Sequence, residues 1–233
     1  MEMPRVPKTE RVNPATRDLD TWTPIEIVRA ISVEDHRVAP AVGREVPNIA
    51  RAAELAAAAI TNGKRVFYAG AGTSGRLGVL DASEIEPTYG PAGKRFIPLM
   101  SGGIGAIVKA AEGAEDSVEA GREAVLAHDV GPGDVLIGIA ASGSTPYVCG
   151  ALAAAREKGA GTVALVGDAQ GPVARGADVV IAPDVGPEVV TGSTRMKNGT
   201  AQKLALNMIS TAAMVMAGRT YGNLMAGMKP SNK

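Results

Sequence analysis

The sequence predicts an α/β fold, a three-layer α/β/α sandwich with a five-stranded parallel sheet, preceded by N-terminal helices. Two observations lead to this prediction. Five short apolar runs recur along the chain and helix-like stretches separate most of them, as in a parallel sheet whose two faces are both covered by helices. The 29 glycines and the abundance of alanine and valine suit close packing of helices on a sheet.

Helical elements come first in the chain. Residues 1–22 have the polar, proline-punctuated pattern of an extended arm. The stretch TPIE at residues 23–26 then has the chemistry of a helix start: a capping threonine, a proline in the first turn and a glutamate that reaches back. Helical periodicity continues to Asn62-Gly63, a typical stop signal. We therefore expect an N-terminal arm with helices over residues 1–62.

The five apolar runs are the predicted strands: residues 65–70, 95–100, 135–140, 162–167 and 178–183. Amphipathic stretches such as 106–113 and 115–128, and a long helix from about Gly199 to Ala217, supply the covering layers. These elements form a predicted domain over residues 63–222, followed by a short tail at 223–233. Since parallel sheets bind ligands at the carboxyl ends of their strands, the loops after the strands are the candidate site.

Charge and composition exclude several classes of function. The formal net charge is zero, with 24 basic and 24 acidic side chains, and aromatic residues make up only 3%. Such a chain offers no electrostatic surface or stacking platform for nucleic acid. No apolar stretch reaches the roughly twenty residues of a membrane span, and a single cysteine excludes an internal disulfide or a cysteine-rich metal site. We expect a cytoplasmic protein that binds neither nucleic acid nor membranes.

The loop after the first strand matches G-x-G-x-x-G at residues 70–75, the fingerprint of a dinucleotide-binding turn. Its second half is missing, because the next strand is followed by Ser-Gly-Gly instead of an acidic residue for a ribose hydroxyl. Two hydroxyl side chains, Thr73 and Ser74, lie inside the loop beside Gly72. The pattern therefore favours a smaller phosphate over a dinucleotide.

The loop after the third strand has the same character, with Ser142, Gly143, Ser144 and Thr145 leading into a helix. Backbone N–H groups at a helix N-terminus and nearby hydroxyls are good phosphate ligands. The alternative is that Ser144 or Thr145 only caps that helix. Two such loops, without the G-K-S/T of a nucleotide P-loop, predict a phosphate monoester on a small molecule.

A third, long polar loop at residues 186–203 precedes the last helix and carries Glu188, Arg195 and Lys197. Its length and polarity favour a functional role over a helix cap with solvated charges. Acidic residues cluster at 80–87 and 111–117. With two histidines, both distant from the loops, a sugar-phosphate enzyme without metal ligands needs carboxylates for proton transfer.

Several long motifs resemble those of the N-acetylmuramic acid 6-phosphate etherase family: GAGTSGRLGVLDASEIEPTYG, AEGAEDS, GIAASGSTPYV, EVVTGSTRMKNGTAQKLALNM, TERVNPATRDLD and YGNLM. Together they cover nearly the whole chain. The resemblance implies a sugar isomerase (SIS) domain that forms a homodimer. It also implies a lyase that cleaves the D-lactyl ether of N-acetylmuramic acid 6-phosphate, with water, to N-acetylglucosamine 6-phosphate and D-lactate in cell-wall sugar recycling, with no cofactor.

The resemblance places the family's catalytic acid, in its D-A-S-E motif, on Glu84 and its second active-site acid, in E-G-A-E-D, on Glu115. Ring opening makes the C2 proton acidic; its removal lets lactate leave from C3, and water then adds to the unsaturated aldehyde. We expect Glu84 to protonate the leaving oxygen and Glu115 to handle the C2 proton or the water, or the two to exchange roles.

Substrate binding falls to the loops. Gly72 brings backbone close to the phosphate, and the expected hydroxyl ligands are those of Thr73, Ser74, Ser142, Ser144 and Thr145. In the third loop we expect Glu188 to bind substrate and Arg195 or Lys197 to meet the lactyl carboxylate.

The sequence departs from the family pattern at its end. Family members continue past the GNLM segment into a further helical region, whereas this sequence stops at KPSNK, and AGM at 226–228 replaces a VDV-like segment. Two alternative functions share the fold: a regulator of glucokinase that binds fructose phosphates without turnover, and a sugar-phosphate isomerase.

Overall fold

A computed structural model of the chain describes residues 6–109 and 111–227. Its main sheet has five parallel strands in the order β2-β1-β3-β4-β5, so the predicted five-stranded parallel sheet is confirmed. Register pairs Val66 of β1 with Phe96 of β2 on one side and with Val135 of β3 on the other. The strands are β1 (Val66–Gly70), β2 (Phe96–Met100), β3 (Val135–Ala140), β4 (Gly161–Val166) and β5 (Val179–Ile181).

Helices cover both faces of this sheet, which confirms the three-layer sandwich. Alternate residues of each strand point to opposite faces, so β1 buries Tyr68 in one core and Phe67 in the other. The Tyr68 core is closed by α2, α3, α4 and α8, and the Phe67 core by α6 and α7. The helices are α1 (Pro24–Asp35), α2 (Val38–Arg44), α3 (Val46–Thr61), α4 (Gly72–Tyr89), α5 (Gly105–Val108), α6 (Val118–Ala127), α7 (Pro146–Glu157) and α8 (Lys197–Met216).

The N-terminal helices begin and end where the sequence predicts. Pro24 is the first residue of α1, and the Glu26 carboxylate accepts a hydrogen bond from the Thr23 backbone N–H at 2.8 Å. Helix α3 ends at Thr61, and Gly63 follows with φ of +73°. Glycine adopts this left-handed backbone without steric cost, which explains the stop.

The segment between β2 and α6 differs from the prediction. Of the residues described there, only Gly105–Val108 form an α-helix, and a 3-10 turn at Ala114–Asp116 replaces the expected continuation. Gly102, Gly103 and Gly113 all have positive φ, which breaks the helical path. The segment therefore forms a loop beside the sheet edge.

A small antiparallel pair of strands that the sequence did not predict, β6 (Thr220–Tyr221) and β7 (Leu224–Met225), follows α8. Residues 1–5 of the predicted arm and 228–233 of the predicted tail lie outside the described residues.

Candidate active site at the carboxyl edge of the sheet

The loops after β1 and β3 lie side by side. The two strands are hydrogen-bonded neighbours and run parallel, so both end at the same edge of the sheet. Strand order reverses here, since the chain moves from β1 outward to β2 and then returns to the other side of β1 for β3. Helices α4 and α7 start at this edge, which is where a doubly wound sheet binds its ligand.

The first loop is a tight turn that requires glycine. A Cβ on Gly70 would lie 2.8 Å from the backbone nitrogen of Gly75, and Gly72 has φ of +54°. Thr73 and Ser74 follow in the first turn of α4. Ser74 is buried, and its hydroxyl donates to Gln202 Oε1 on α8 at 2.9 Å. The glycines thus bring the start of α4 against the end of β1, and Ser74 links α4 to α8.

The second loop leaves hydroxyl groups available at the start of α7. Ser142 Oγ accepts hydrogen bonds from the Ser144 backbone N–H at 3.2 Å and from its hydroxyl at 3.0 Å. Thr145 is the capping residue of α7, yet its side chain makes no capping hydrogen bond. The alternative that Thr145 only caps the helix is therefore not what this geometry favours.

The third loop is built mainly from internal contacts. Glu188 is fully buried, and its carboxylate accepts from the backbone N–H groups of Lys197 and Asn198 at 3.0 and 2.9 Å, which caps the start of α8. The Lys197 ammonium forms an ion pair with Glu34 of α1 and donates to the Pro187 carbonyl at 2.7 Å. Arg195 is exposed. Two of the three predicted binding residues in this loop thus have their charged groups occupied within the protein.

Glu115 lies beside the first loop. Glu115 and Gly72 of that loop line a cleft of about 250 Å³ between the ends of β1 and β2, together with Arg76 and Ser101. The Ser101 hydroxyl donates to the Ala114 carbonyl at 2.7 Å and so anchors the 3-10 turn that carries Glu115. Arg76 holds the other wall by donating to the Ile107 and Ala106 carbonyls at 2.8 and 2.9 Å. The sequence did not single out Arg76 or Ser101, although each follows a predicted strand.

Glu84 lies in a different cavity. It is an exposed residue on α4 that lines a groove of about 190 Å³ between α4 and α8, with Leu80, Asp81, Lys203 and others. Twelve residues separate it from Gly72 along the helix, which corresponds to about 18 Å at 1.5 Å per residue. Within one chain, the two predicted catalytic acids therefore do not meet in one cavity.

A buried hydrogen-bond network supports the Glu84 groove from below. The Asp81 carboxylate accepts from the Tyr68 hydroxyl at 2.8 Å, the Asn207 amide at 2.7 Å and the Ser210 hydroxyl at 3.2 Å. Burial, reinforced by the Asp81 charge, raises the pKa of Tyr68 well above its ordinary value. The network fixes α4 against β1 and α8, and hence the direction of the helix face that carries Glu84.

Neither a metal centre nor a membrane span stands out in the part of the chain that the structure describes. No group of three or more His, Cys, Asp or Glu side chains there is arranged to hold a metal ion. None of the described helices has both the length and the apolar character needed to cross a bilayer.

Comparison with known families gives two overlapping matches. Residues 48–156 match the family described as the glucokinase regulatory protein N-terminal SIS domain, and residues 114–212 match the SIS domain family. Solved structures agree with this fold. A phosphoheptose isomerase from Neisseria gonorrhoeae superposes with a TM-score of 0.62 over 82% of this chain and 99% of its own, at 22% identity. One from Francisella tularensis gives 0.61 over 85% and 100%, at 17% identity.

Sequence relatives are more similar. Over 224 residues the chain is 52% identical to the N-acetylmuramic acid 6-phosphate etherase of Salmonella agona (strain SL483). The aligned residues cover 96% of this chain and 75% of that protein. The protein of the same name from Salmonella choleraesuis (strain SC-B67) gives the same identity and coverage.

Proposed function

Because the chain belongs to the N-acetylmuramic acid 6-phosphate etherase family, we propose that it cleaves the D-lactyl ether of N-acetylmuramic acid 6-phosphate to N-acetylglucosamine 6-phosphate and D-lactate. It is a carbon–oxygen lyase of the SIS fold that acts on a sugar phosphate in the recycling of cell-wall amino sugars. The observation that carries the mechanism is the cleft in which Glu115 stands beside the start of α4.

The phosphate site is proposed at the adjoining starts of α4 and α7. The N–H groups at the two helix starts and the hydroxyls of Ser142, Ser144 and Thr145 would bind the phosphate dianion, with Thr73 and Ser74 on the α4 side. A phosphate held at Gly72 brings the rest of the sugar within reach of the Glu115 carboxylate across the cleft. This supports Glu115 as the base for the C2 proton, or for the water that adds later.

Glu84 is proposed as the acid that protonates the leaving ether oxygen. An alkoxide is a poor leaving group, so a proton must reach the oxygen as the C3–O bond breaks and the electron pair moves to oxygen. The distance of about 18 Å along α4 exceeds the span from the phosphate to the C3 oxygen of a hexose 6-phosphate. Glu84 therefore needs the phosphate loops of another chain.

We propose a homodimer in which Glu84 of each chain completes the site of its partner. Leu80 of α4 is exposed and lines the Glu84 groove, and α8, the other wall of that groove, also carries the exposed apolar side chains of Met208, Val215 and Met216. Apolar surface of this kind is typical of an interface between subunits.

Glu188 and Lys197 are proposed to act on the site indirectly, by fixing the start of α8 opposite Ser74. The exposed Arg195 remains a candidate ligand of the substrate.

We further propose that residues 63–222 form the sugar-phosphate domain, with the hairpin β6–β7 crossing into the tail at 223–233 and residues 1–62 forming an arm with helices. Because a sugar phosphate is charged and does not cross a bilayer unaided, we place the reaction in the cytoplasm.

The two alternative functions have weaker support. The isomerase structures are at most 22% identical among those described above, and that likeness extends to the fold alone. The regulatory-domain match spans residues 48–156, whereas the etherase relatives match nearly the full chain and both acids are present.

The test is release of D-lactate from N-acetylmuramic acid 6-phosphate by the purified protein and by Glu84→Gln and Glu115→Gln. Glu86→Gln is the matched control, since Glu86 lies on the same helix and makes an exposed ion pair with Lys94. Release by the parent and by Glu86→Gln, with loss in the other two variants, is expected. Binding of the sugar phosphate without any release by the parent would instead support the regulator.

A further inference from the structure

The groove that contains Glu84 also contains a cation. Lys203 of α8 lines it opposite Glu84 of α4, with Leu80 and Leu206 as apolar walls. Lys203 is exposed, and its ammonium forms no ion pair or hydrogen bond with any of the described residues. A free positive charge thus faces the same space as the proposed proton donor.

Asp81 does not require this charge, although it lines the same groove. Its two oxygens accept three hydrogen bonds, from Tyr68, Asn207 and Ser210. Lys203 is therefore available to an anion that enters from outside the protein.

The two lysines of this region have different surroundings. Lys197, which the sequence suggested as a partner for the lactyl carboxylate, is only 1% exposed and is neutralised by Glu34. Lys203 lies in the groove with the acid. The structure thus favours a lysine six residues further along the chain for that role.

We propose that Lys203 binds the carboxylate of the departing lactyl group while Glu84 protonates the ether oxygen. In the substrate, the carbon that bears the ether oxygen also bears the carboxylate, so a donor at that oxygen is close to the carboxylate as well. The base takes the C2 proton and the C2–H electron pair forms the C2=C3 double bond as the C3–O bond breaks and its electron pair moves to the oxygen. The Glu84 proton then completes D-lactate, whose carboxylate stays paired with Lys203. This inference rests on the proposed etherase function and adds the residue that selects an acidic leaving group.

The experiment compares N-acetylmuramic acid 6-phosphate with an analogue whose lactyl carboxylate is a carboxamide. Formation of N-acetylglucosamine 6-phosphate is measured for the parent, Lys203→Met and Lys203→Arg. Lys158→Met is the control, because Lys158 is an exposed lysine at the end of α7. If the carboxamide binds without being cleaved, its inhibition constant is compared between the parent and the variants in place of kcat/KM.

Lys203→Met is expected to lower kcat/KM for the carboxylate substrate by about 10- to 100-fold, the effect of one charge-assisted hydrogen bond, and to leave the carboxamide nearly unchanged. Lys203→Arg should keep most of the preference for the carboxylate, and Lys158→Met should match the parent. Equal losses on both compounds, or no loss on either, would overturn the inference. A parent that forms no product from the carboxylate substrate would refute the etherase function itself, and the inference with it.

Discussion

Lys197 and Glu34 form a buried ion pair that joins the first residue of α8 to the end of α1, across 163 positions of sequence. The side chains are 1% and 4% exposed. The same lysine donates to the Pro187 carbonyl, and its backbone N–H donates to Glu188. This one residue therefore ties the N-terminal helices, the third loop and α8 together.

Lys197→Met should destabilise the protein by up to about 3–5 kcal/mol, because it removes the buried partner of the Glu34 carboxylate and leaves only the exposed Arg37 guanidinium, 3.3 Å away, as a counter-charge. Urea unfolding measures this loss. The exposed pair of Lys94 and Glu86 is the control, and Lys94→Met should cost less than about 1 kcal/mol. In Glu34→Leu/Lys197→Met both charges are gone, so much of the stability should return; a double variant as unstable as Lys197→Met would argue against the ion pair as the cause.

Asp134 lies at the edge of the sheet opposite the candidate site, and its surroundings predict that the protein loses stability in acid. Burial opposes its ionisation, but hydrogen bonds from the Arg65 side chain at 2.7 Å and from the backbone of Arg65 and Gly131 hold the pKa of Asp134 below its ordinary 3.8. A lowered folded-state pKa stabilises the protein above the unfolded value, and this stability is lost as pH falls through the folded value. Urea unfolding from about pH 7 down to pH 3 should show this loss. Asp134→Asn should lower the free energy of unfolding by about 1.5–3 kcal/mol near neutral pH and should make it depend less on pH in acid.

The buried Tyr147 predicts that the protein loses stability at high pH. Its hydroxyl donates to the Leu99 carbonyl at 3.3 Å, and burial raises the pKa of Tyr147 to about 12. The unfolded chain ionises this phenol near 10.0, so its contribution to stability is full below that value and is lost as pH rises toward 12. Ultraviolet absorbance of phenolate should show a late ionisation near pH 12 that is absent from Tyr147→Phe, whereas the raised ionisation of the buried Tyr68 remains in both proteins. An unchanged titration in that variant would contradict the assignment.

A shared active site predicts complementation between inactive variants. Glu84→Gln and Glu115→Gln should each be inactive alone. If Glu84 acts on the partner's phosphate loops, a mixed dimer has one complete site and one with both defects, so an equimolar mixture allowed to exchange subunits should recover about a quarter of parent activity. If both acids serve their own chain, no site is complete and no activity returns. A mixture of Glu84→Gln with itself, treated in the same way, provides the baseline.

The sequence predicted the framework because the relevant signals are local. Five continuous apolar runs define the parallel sheet, and the Glu26 carboxylate three residues after Thr23 defines the start of α1. The pairing of Glu34 with Lys197 was not predictable, since each residue taken alone resembles a solvated surface charge. The groove that holds Glu84 with Lys203 likewise depends on the packing of α4 against α8. Motifs identified which acids to examine, whereas tertiary packing decided which groups surround each one.

The Gln202 side chain is expected to lower the stability of the protein while it supports substrate binding. Ser74 donates to its Oε1 at 2.9 Å, but Nε2 is buried and has no partner among the residues described. A buried donor without an acceptor costs about 1–3 kcal/mol. Rotation of the carboxamide would let Nε2 donate to Ser74 Oγ and free the Ser74 proton for a phosphate oxygen.

Gln202→Met should therefore change the free energy of unfolding by less than about 1 kcal/mol, since the loss of the Ser74 bond is offset by removal of the unpaired donor. The same variant should raise KM for the sugar phosphate by about tenfold, the effect of one weakened hydrogen bond to a charged group, with a smaller change in kcat. A double-mutant cycle with Ser74→Ala isolates the coupling: because Gln202 acts through the Ser74 hydroxyl, it should have almost no effect on KM once that hydroxyl is gone. Additive effects of the two substitutions would mean that Gln202 acts on the substrate by another route.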